Sequence, residues 1–234
     1  MEDAGCSDFI MLTPKIVTTL IVFAIVSAIV RVYHVIVRSQ KPLYNLARQP
    51  LSTLIILCSG GHTAEMLNLV SILQKQRFTP RIYIAASTDN MSLQKAHVLE
   101  SSLVNQKDVE EVLKTSQFMQ IYRSREVGQS YLTSVGTTLI AMAHALWIMI
   151  KIRPQVILCN GPGTCILLCI IAFLFKIVGI RWSSICYIES IARVRRLSLS
   201  GLLLYKLHIA DQIFVQWPQL QQKHPRTYYV GCLV

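Results

Sequence analysis

His62 stands in the polar loop Ser59-Gly60-Gly61-His62-Thr63, between the apolar run 54–57 and a helical pattern carrying Met66, Leu67 and Val70. Glycines let a backbone approach a ligand closely, and the free N–H groups at a helix start stabilise negative charge. An imidazole there suits a general base or a diphosphate contact, or it caps the turn; spacing alone does not decide. A second loop, Asn160-Gly161-Pro162-Gly163-Thr164, follows the apolar run 156–159. Asn160 and Thr164 offer hydrogen bonds to a polar ligand, with a purely structural turn as the alternative. The third group is Glu189 with Ser190 and Arg193, after the run 184–188. Glu65 reads as a helix cap that accepts backbone N–H bonds, with catalysis as the alternative. The first loop is not a Walker loop, since no Gly-Lys-Ser/Thr follows, and it lacks the third glycine of the dinucleotide fingerprint.

Each loop needs a strand before it and a helix after it. The pattern gives a first unit over 51–78, a strand at 81–86 and a helix over 91–99. A possible short strand lies at 109–113, and a charged loop at 122–129 holds Arg123, Arg125 and Glu126. A helix over 131–150, strands at 156–159, 184–188 and 213–215, and a helix over 202–207 complete the count. Roughly five strands alternating with helices predict one α/β domain with an open, mostly parallel sheet. In such a sheet all three loops lie at the carboxyl ends of strands and line one crevice.

Ahead of this domain, positions 16–30 hold no charged residue. A helix over 14–37 is long enough to span a bilayer if Arg31 snorkels. A cleaved signal peptide fits less well, because the front flank is acidic and basic residues follow the core. Arg31, Arg38, Lys41 and Arg48 come after the core; Lys15 faces Glu2, Asp3 and Asp8 before it. The positive-inside rule then puts the domain in the cytosol. The expected layout is a short lumenal terminus (1–13), a transmembrane anchor (14–37), a basic juxtamembrane linker (38–50) and a cytosolic domain (51–234). Segment 165–180 is expected to be a buried or membrane-skimming helix, too short for a comfortable second span. The apolar tail 228–234 is expected to pack into the domain or against another chain.

Composition agrees with a membrane setting. The 234 residues are 53% hydrophobic and 15% charged, with a net charge of +11. An average soluble domain is nearer 25% charged. Between 176 and 206 the basic residues Lys176, Arg181, Arg193, Arg195, Arg196 and Lys206 face one acid, Glu189, as suits an anionic lipid surface or a lipid carrying phosphate. Net charge alone also suits nucleic acid, but no nucleic-acid partner is expected, because no interleaved aromatic platform accompanies the charge. The seven cysteines are scattered through apolar runs, as expected of buried free thiols. No pair has zinc-ribbon spacing, so no metal site is expected.

The anchor, Gly60-Gly61-His62-Thr63-Ala64-Glu65-Met66, Asn160-Gly161-Pro162-Gly163-Thr164, Tyr187-Ile188-Glu189-Ser190 and Phe214-Val215-Gln216-Trp217 together resemble the membrane-anchored subunit of the eukaryotic UDP-N-acetylglucosamine transferase of dolichol-linked oligosaccharide synthesis. The resemblance covers essentially the whole chain. The two glycine loops and the strand ending in Glu189 are also similar to the N-terminal half of the bacterial peptidoglycan transferase that acts on a lipid-linked acceptor. The resemblance implies a Rossmann-like fold, the N-terminal half of a GT-B glycosyltransferase, with one transmembrane helix. It implies transfer of N-acetylglucosamine (GlcNAc) from UDP-GlcNAc to dolichyl-diphosphate-GlcNAc with inversion, on the cytosolic face of the endoplasmic reticulum. The donor would sit mainly on a cytosolic partner subunit, with this chain inactive alone and no cofactor required. His62 would be the base or an acceptor contact, with Glu189 the second candidate. Ser59, Gly60, Gly61, Thr63, Asn160, Gly161, Gly163, Thr164 and Arg193 would bind the acceptor or its diphosphate. The competing expectation is a non-catalytic scaffold whose partner holds all the decisive chemistry.

Overall fold

The computed structural model describes residues 4–40, 50–103, 116–122, 131–161 and 163–233. The possible strand at 109–113, Arg123, Arg125, Glu126, Pro162 and most of the juxtamembrane linker lie outside them. The chain divides into two units, Met1–Lys41 and Pro42–Val234.

The first unit is helix α1 (Ala4–Ser39), which begins ahead of the expected start at 14. Its segment Lys15–Ser39 is long and apolar enough to cross a membrane by length and composition. At 1.5 Å per residue it measures roughly 37 Å, against roughly 30 Å of bilayer hydrocarbon. Leu20, Phe23 and Ile29 are exposed along it. The hydroxyls of Thr18 and Thr19 both donate to the Lys15 carbonyl, at 2.9 and 2.8 Å, so these polar groups are satisfied within the helix.

The second unit is built in the order β1 (Thr53–Leu57), α2 (Gly61–Ile72), β2 (Arg81–Ala86), α3 (Asn90–Ser102), β3 (Ser116–Ile121), α4 (Tyr131–Ile152), β4 (Val156–Asn160), α5 (Thr164–Val178), β5 (Ser184–Ile188), α6 (Leu199–Lys206), β6 (Gln212–Val215), α7 (Pro218–Lys223) and β7 (Tyr228–Tyr229). The sheet order is β3-β2-β1-β4-β5-β6-β7, and every pair is parallel. The first six strands follow the 3-2-1-4-5-6 order of Rossmann sheets, whose direction of winding reverses between β1 and β4.

The period of two along β1 explains the core. Leu54 and Ile56 enter a cluster with Ile148 and Met149 of α4 and Leu168, Ala172 and Phe175 of α5. Ile55 and Leu57 enter the other, with Met66 and Val70 of α2 and Ala96 of α3. Both faces of the sheet are covered, which is why its central strands read as continuous apolar runs. Helix α5 is therefore a core helix along one face, with Leu174 and Val178 exposed on the other. Helix α4 buries Ala145, Ile148 and Met149 and exposes Leu139, Ile140, Trp147 and Ile150.

Two corrections follow. Among the described residues the sheet has seven strands, not roughly five: β3 and β7 were missed. Lys176 does not belong to a basic surface. It is fully buried and grips Asp211 through both carboxylate oxygens, at 2.6 and 2.5 Å, and Asp211 also accepts the Ile185 N–H at 2.7 Å. Removing one partner of a buried pair leaves a desolvated charge. Asp211→Ala is therefore expected to cost about 3–5 kcal/mol, read as a lower urea midpoint at unchanged slope. A loss below about 1 kcal/mol, the ordinary value of an exposed pair, would show that the interior does not depend on this contact.

Candidate functional site

The loops after β1, β4 and β5 meet at the carboxyl edge of the sheet, across the reversal point. His62, Gly161, Glu189 and Arg193 line one cavity there, of about 400 Å³, with Ser190, Ser198 and Ser200. That volume lies within the range of small-ligand sites, roughly 300–1,000 Å³.

Gly161 makes the junction between the first two loops possible. Its φ is +98°, and a Cβ added there would sit 3.1 Å from His62 Cγ and 3.3 Å from Cys58 Cβ. The β4 loop can thus lie directly on the imidazole. Beneath it, the Cys58 and Cys165 sulfurs are 3.2 Å apart, and the Cys165 thiol reaches the Asn160 carbonyl at 3.3 Å.

Glu65 does not cap α2. It is buried, and its carboxylate ties the three loops together. It accepts from the Asn160 side-chain amide at 2.8 Å, from the Ser190 hydroxyl at 2.7 Å and from the Ile191 N–H at 3.3 Å. Asn160 in turn meets His62 Nδ1 at 2.9 Å through its side-chain carbonyl. The helix start at Gly60 carries no side-chain cap.

Glu189 is 1% exposed. Its Oε2 accepts from the Ser198 N–H at 2.9 Å and the Ser198 hydroxyl at 3.0 Å; its Oε1 accepts from the Ser190 N–H at 3.3 Å. Burial pushes its carboxyl above the ordinary 4.5; the Ser198 and Ser190 bonds and the Arg193 charge pull it back in part. Ser198 is also the N-cap of α6, accepting from Gly201 N–H at 3.0 Å, and it bonds the Tyr187 hydroxyl at 3.0 Å. A Cβ on Gly201 would collide with Glu189 Oε2, so a glycine is what lets α6 start against the carboxylate. The loop 189–193 is held from the β6 side as well. Gln216 donates to the Glu189 carbonyl at 3.1 Å, and Trp217 donates to the Ile191 carbonyl at 2.6 Å. Gln216 also accepts the Leu233 N–H at 3.0 Å, which docks the C-terminal tail on the domain.

The expected site residues separate into three groups. His62, Gly161, Glu189 and Arg193 face the cavity, and Arg193 is exposed there with Arg195 and Arg196 on the same loop. Thr63 and Asn160 are 1% exposed, and their side chains are engaged inside the domain. The Thr63 hydroxyl donates to the Cys58 carbonyl and bonds Ser92 Oγ, while both ends of the Asn160 amide are engaged as described. Ser59, Gly60 and Gly61 are exposed at the β1 loop, and Gly163 and Thr164 open α5; none of these lines the cavity. Sequence reasoning missed the work of Glu65, Ser198, Gly201 and Gln216. Glu65 and Gln216 carried a signal, inside the Gly60-Gly61-His62-Thr63-Ala64-Glu65-Met66 and Phe214-Val215-Gln216-Trp217 motifs.

Chemically, the edge offers an imidazole, a carboxylate held toward its protonated form, and exposed guanidinium groups. That set can move one proton and bind an anion.

A family profile described as "Oligosaccharide biosynthesis protein Alg14 like" matches residues 53–233. A protein of Yarrowia lipolytica named UDP-N-acetylglucosamine transferase subunit ALG14 is 41% identical over 223 residues, 93% of this chain and 100% of its own length. The proteins of that name from Mus musculus and Homo sapiens are 42% and 40% identical, covering 82% and 80% of this chain and 88% and 85% of their own. Among solved structures, MurG of Acinetobacter baumannii aligns with a TM-score of 0.49 at 15% identity, over 73% of this chain and 43% of that one.

Proposed function

Since the chain belongs to the Alg14 family, whose members at about 40% identity are named subunits of UDP-N-acetylglucosamine transferase, we propose that it forms the acceptor side of that glycosyltransferase. The acceptor is a lipid diphosphate bearing GlcNAc, with dolichol as the lipid. The donor is UDP-GlcNAc, bound mainly by a cytosolic partner subunit that this chain recruits. Helix α1 anchors the chain in the endoplasmic reticulum membrane in a single pass, with the α/β domain on the cytosolic face. The observation that supports this most is the convergence of His62, Glu189 and Arg193 on one cavity at the reversal point of the sheet.

In this reading the acceptor sugar enters the cavity with its 4-hydroxyl near His62. Nε2 of His62 takes the hydroxyl proton as the oxygen attacks C1 of the donor sugar. The new O–C1 bond forms as the C1–O bond to the diphosphate breaks, UDP departs with the bonding pair, and the anomeric centre inverts. Arg193 holds the acceptor diphosphate. No cofactor takes part.

The test is transfer of labelled GlcNAc from UDP-GlcNAc to a lipid-diphosphate-GlcNAc acceptor in vesicles. Product is expected only when the full-length chain and its donor-binding partner are both present. Equal turnover by the partner alone would overturn the acceptor-side role and leave a scaffold; turnover by this chain alone would overturn the division of labour.

A further inference from the structure

We propose that Glu65 and Asn160 are positioning residues that fix the tautomer of His62, with its proton on Nδ1 and the lone pair of Nε2 turned to the cavity. The proposal deepens the function above, since it rests on His62 being the proton acceptor.

The chain of contacts starts at the buried carboxylate of Glu65. An ionised carboxylate only accepts hydrogen bonds. Glu65 meets the Asn160 side chain at 2.8 Å, so that amide must turn its NH₂ toward Glu65. Its carbonyl oxygen is then the atom 2.9 Å from His62 Nδ1. A carbonyl also only accepts, so Nδ1 must be the donor. A neutral ring has one N–H, and Nε2 is left with its lone pair. No hydrogen-bond partner for Nε2 is present among the described residues, and the ring borders the cavity.

Three further features make the arrangement firm. Glu65 cannot rotate freely, because the Ser190 hydroxyl and the Ile191 N–H hold its other oxygen at 2.7 and 3.3 Å. Asn160 is the last residue of β4 and is 1% exposed, so its amide has little room to flip. Gly161 lies on the ring and limits its rotation. A free neutral imidazole in water favours the opposite tautomer, with the proton on Nε2, where it can accept nothing from a substrate hydroxyl. Selecting the Nδ1–H form is therefore a task that a buried acceptor must perform. The competing account is that the same bonds only tie the three loops together.

The experiment uses the full-length chain with ¹⁵N-labelled histidine in detergent micelles with its partner. The His62 signals are identified by their loss in His62→Gln. Long-range nitrogen–proton correlations are expected to show the proton on Nδ1 in the wild type, and to shift toward Nε2–H in Asn160→Ala. In the vesicle assay Asn160→Ala is expected to lower kcat by about 10²-fold, the cost of a misplaced reacting group, with KM changed less than about threefold. Glu65→Gln keeps an oxygen that accepts from Asn160. It is expected to retain the Nδ1–H signal and most of the kcat, whereas Glu65→Ala behaves like Asn160→Ala. Partner capture and unfolding midpoint show whether each variant is folded. If Asn160→Ala does not fold, the wild-type and Glu65→Gln spectra still decide.

A wild-type Nε2–H signal overturns the proposal, as does unchanged kcat in a folded Asn160→Ala when His62→Ala is inactive. If His62→Ala is fully active, the assignment of His62 as base fails instead, and the spectra then report on the relay separately.

Discussion

His62→Ala is expected to lower turnover of the reconstituted transferase by about 10²–10⁴-fold, the range for loss of a positioned acid or base, while capture of the partner subunit is unchanged. The imidazole is only partly buried and among the described residues makes one side-chain bond, to Asn160, so its loss leaves the sheet and both cores intact. Asn160 keeps its bond to Glu65. The deletion is thus a change of chemistry with little change of fold. Measured as kcat at saturating donor and acceptor, turnover within threefold of wild type would sink a shared active site and favour the scaffold. The rate lost should sit in kcat, because proton removal belongs to the transition state.

Glu189 has the second large effect, and it has two parts. Glu189→Ala removes the acceptor for the Ser198 N–H and hydroxyl, and so frees the loop that carries Arg193. Turnover is expected to fall by about 10²-fold, as for misplacement of a reacting group. Glu189→Gln keeps an acceptor oxygen and isolates the charge. Burial raises the native carboxyl above 4.5. As pH rises from about 4.5, the unfolded chain releases this proton first while the native chain still holds it. The wild type is therefore favoured by this group below that value, loses that advantage as pH rises through the raised native value, and is flat beyond it. The unfolding midpoint of Glu189→Gln relative to wild type should climb over the same window. A difference independent of pH would show that the carboxyl is not perturbed.

The parts of this fold legible in the sequence were those where one segment declares itself. The runs 54–57, 156–159 and 184–188 are apolar on both faces because the central strands are covered on both, and a glycine or a charge follows each within three residues. Strand β3 was illegible for the complementary reason. It is an edge strand, reading Ser-Gln-Phe-Met-Gln-Ile with a half-exposed middle, so no apolar run marks it. The two-residue β7 is too short to leave a pattern. At the site, the loops could be placed on one edge from parallel topology alone, and His62, Gly161 and Glu189 do border one cavity. Burial was what the pattern could not give. Glu65 reads like any helix-surface acid until its partners, Asn160 and Ser190, arrive from 95 and 125 residues away. Lys176 reads as surface charge until Asp211 folds over it. Gly201 sits in an ordinary helix pattern, and only the position of Glu189 shows why a side chain there would not fit.

The placement of β1 in the middle of the sheet has a consequence for how the chain is made. One edge of β1 pairs with β2, which follows closely; the other pairs Thr53 with Val156 of β4, roughly a hundred residues later. At about 5–20 residues per second of synthesis, that second edge stays open for roughly 5–20 s on the ribosome. Leu54 and Ile56 meanwhile have no α4 or α5 to cover them. A nascent chain in that interval presents an unpaired apolar strand beside the point where His62 will later stand. Slowing elongation between β2 and β4 should therefore lower the yield of folded protein more than slowing it after β5.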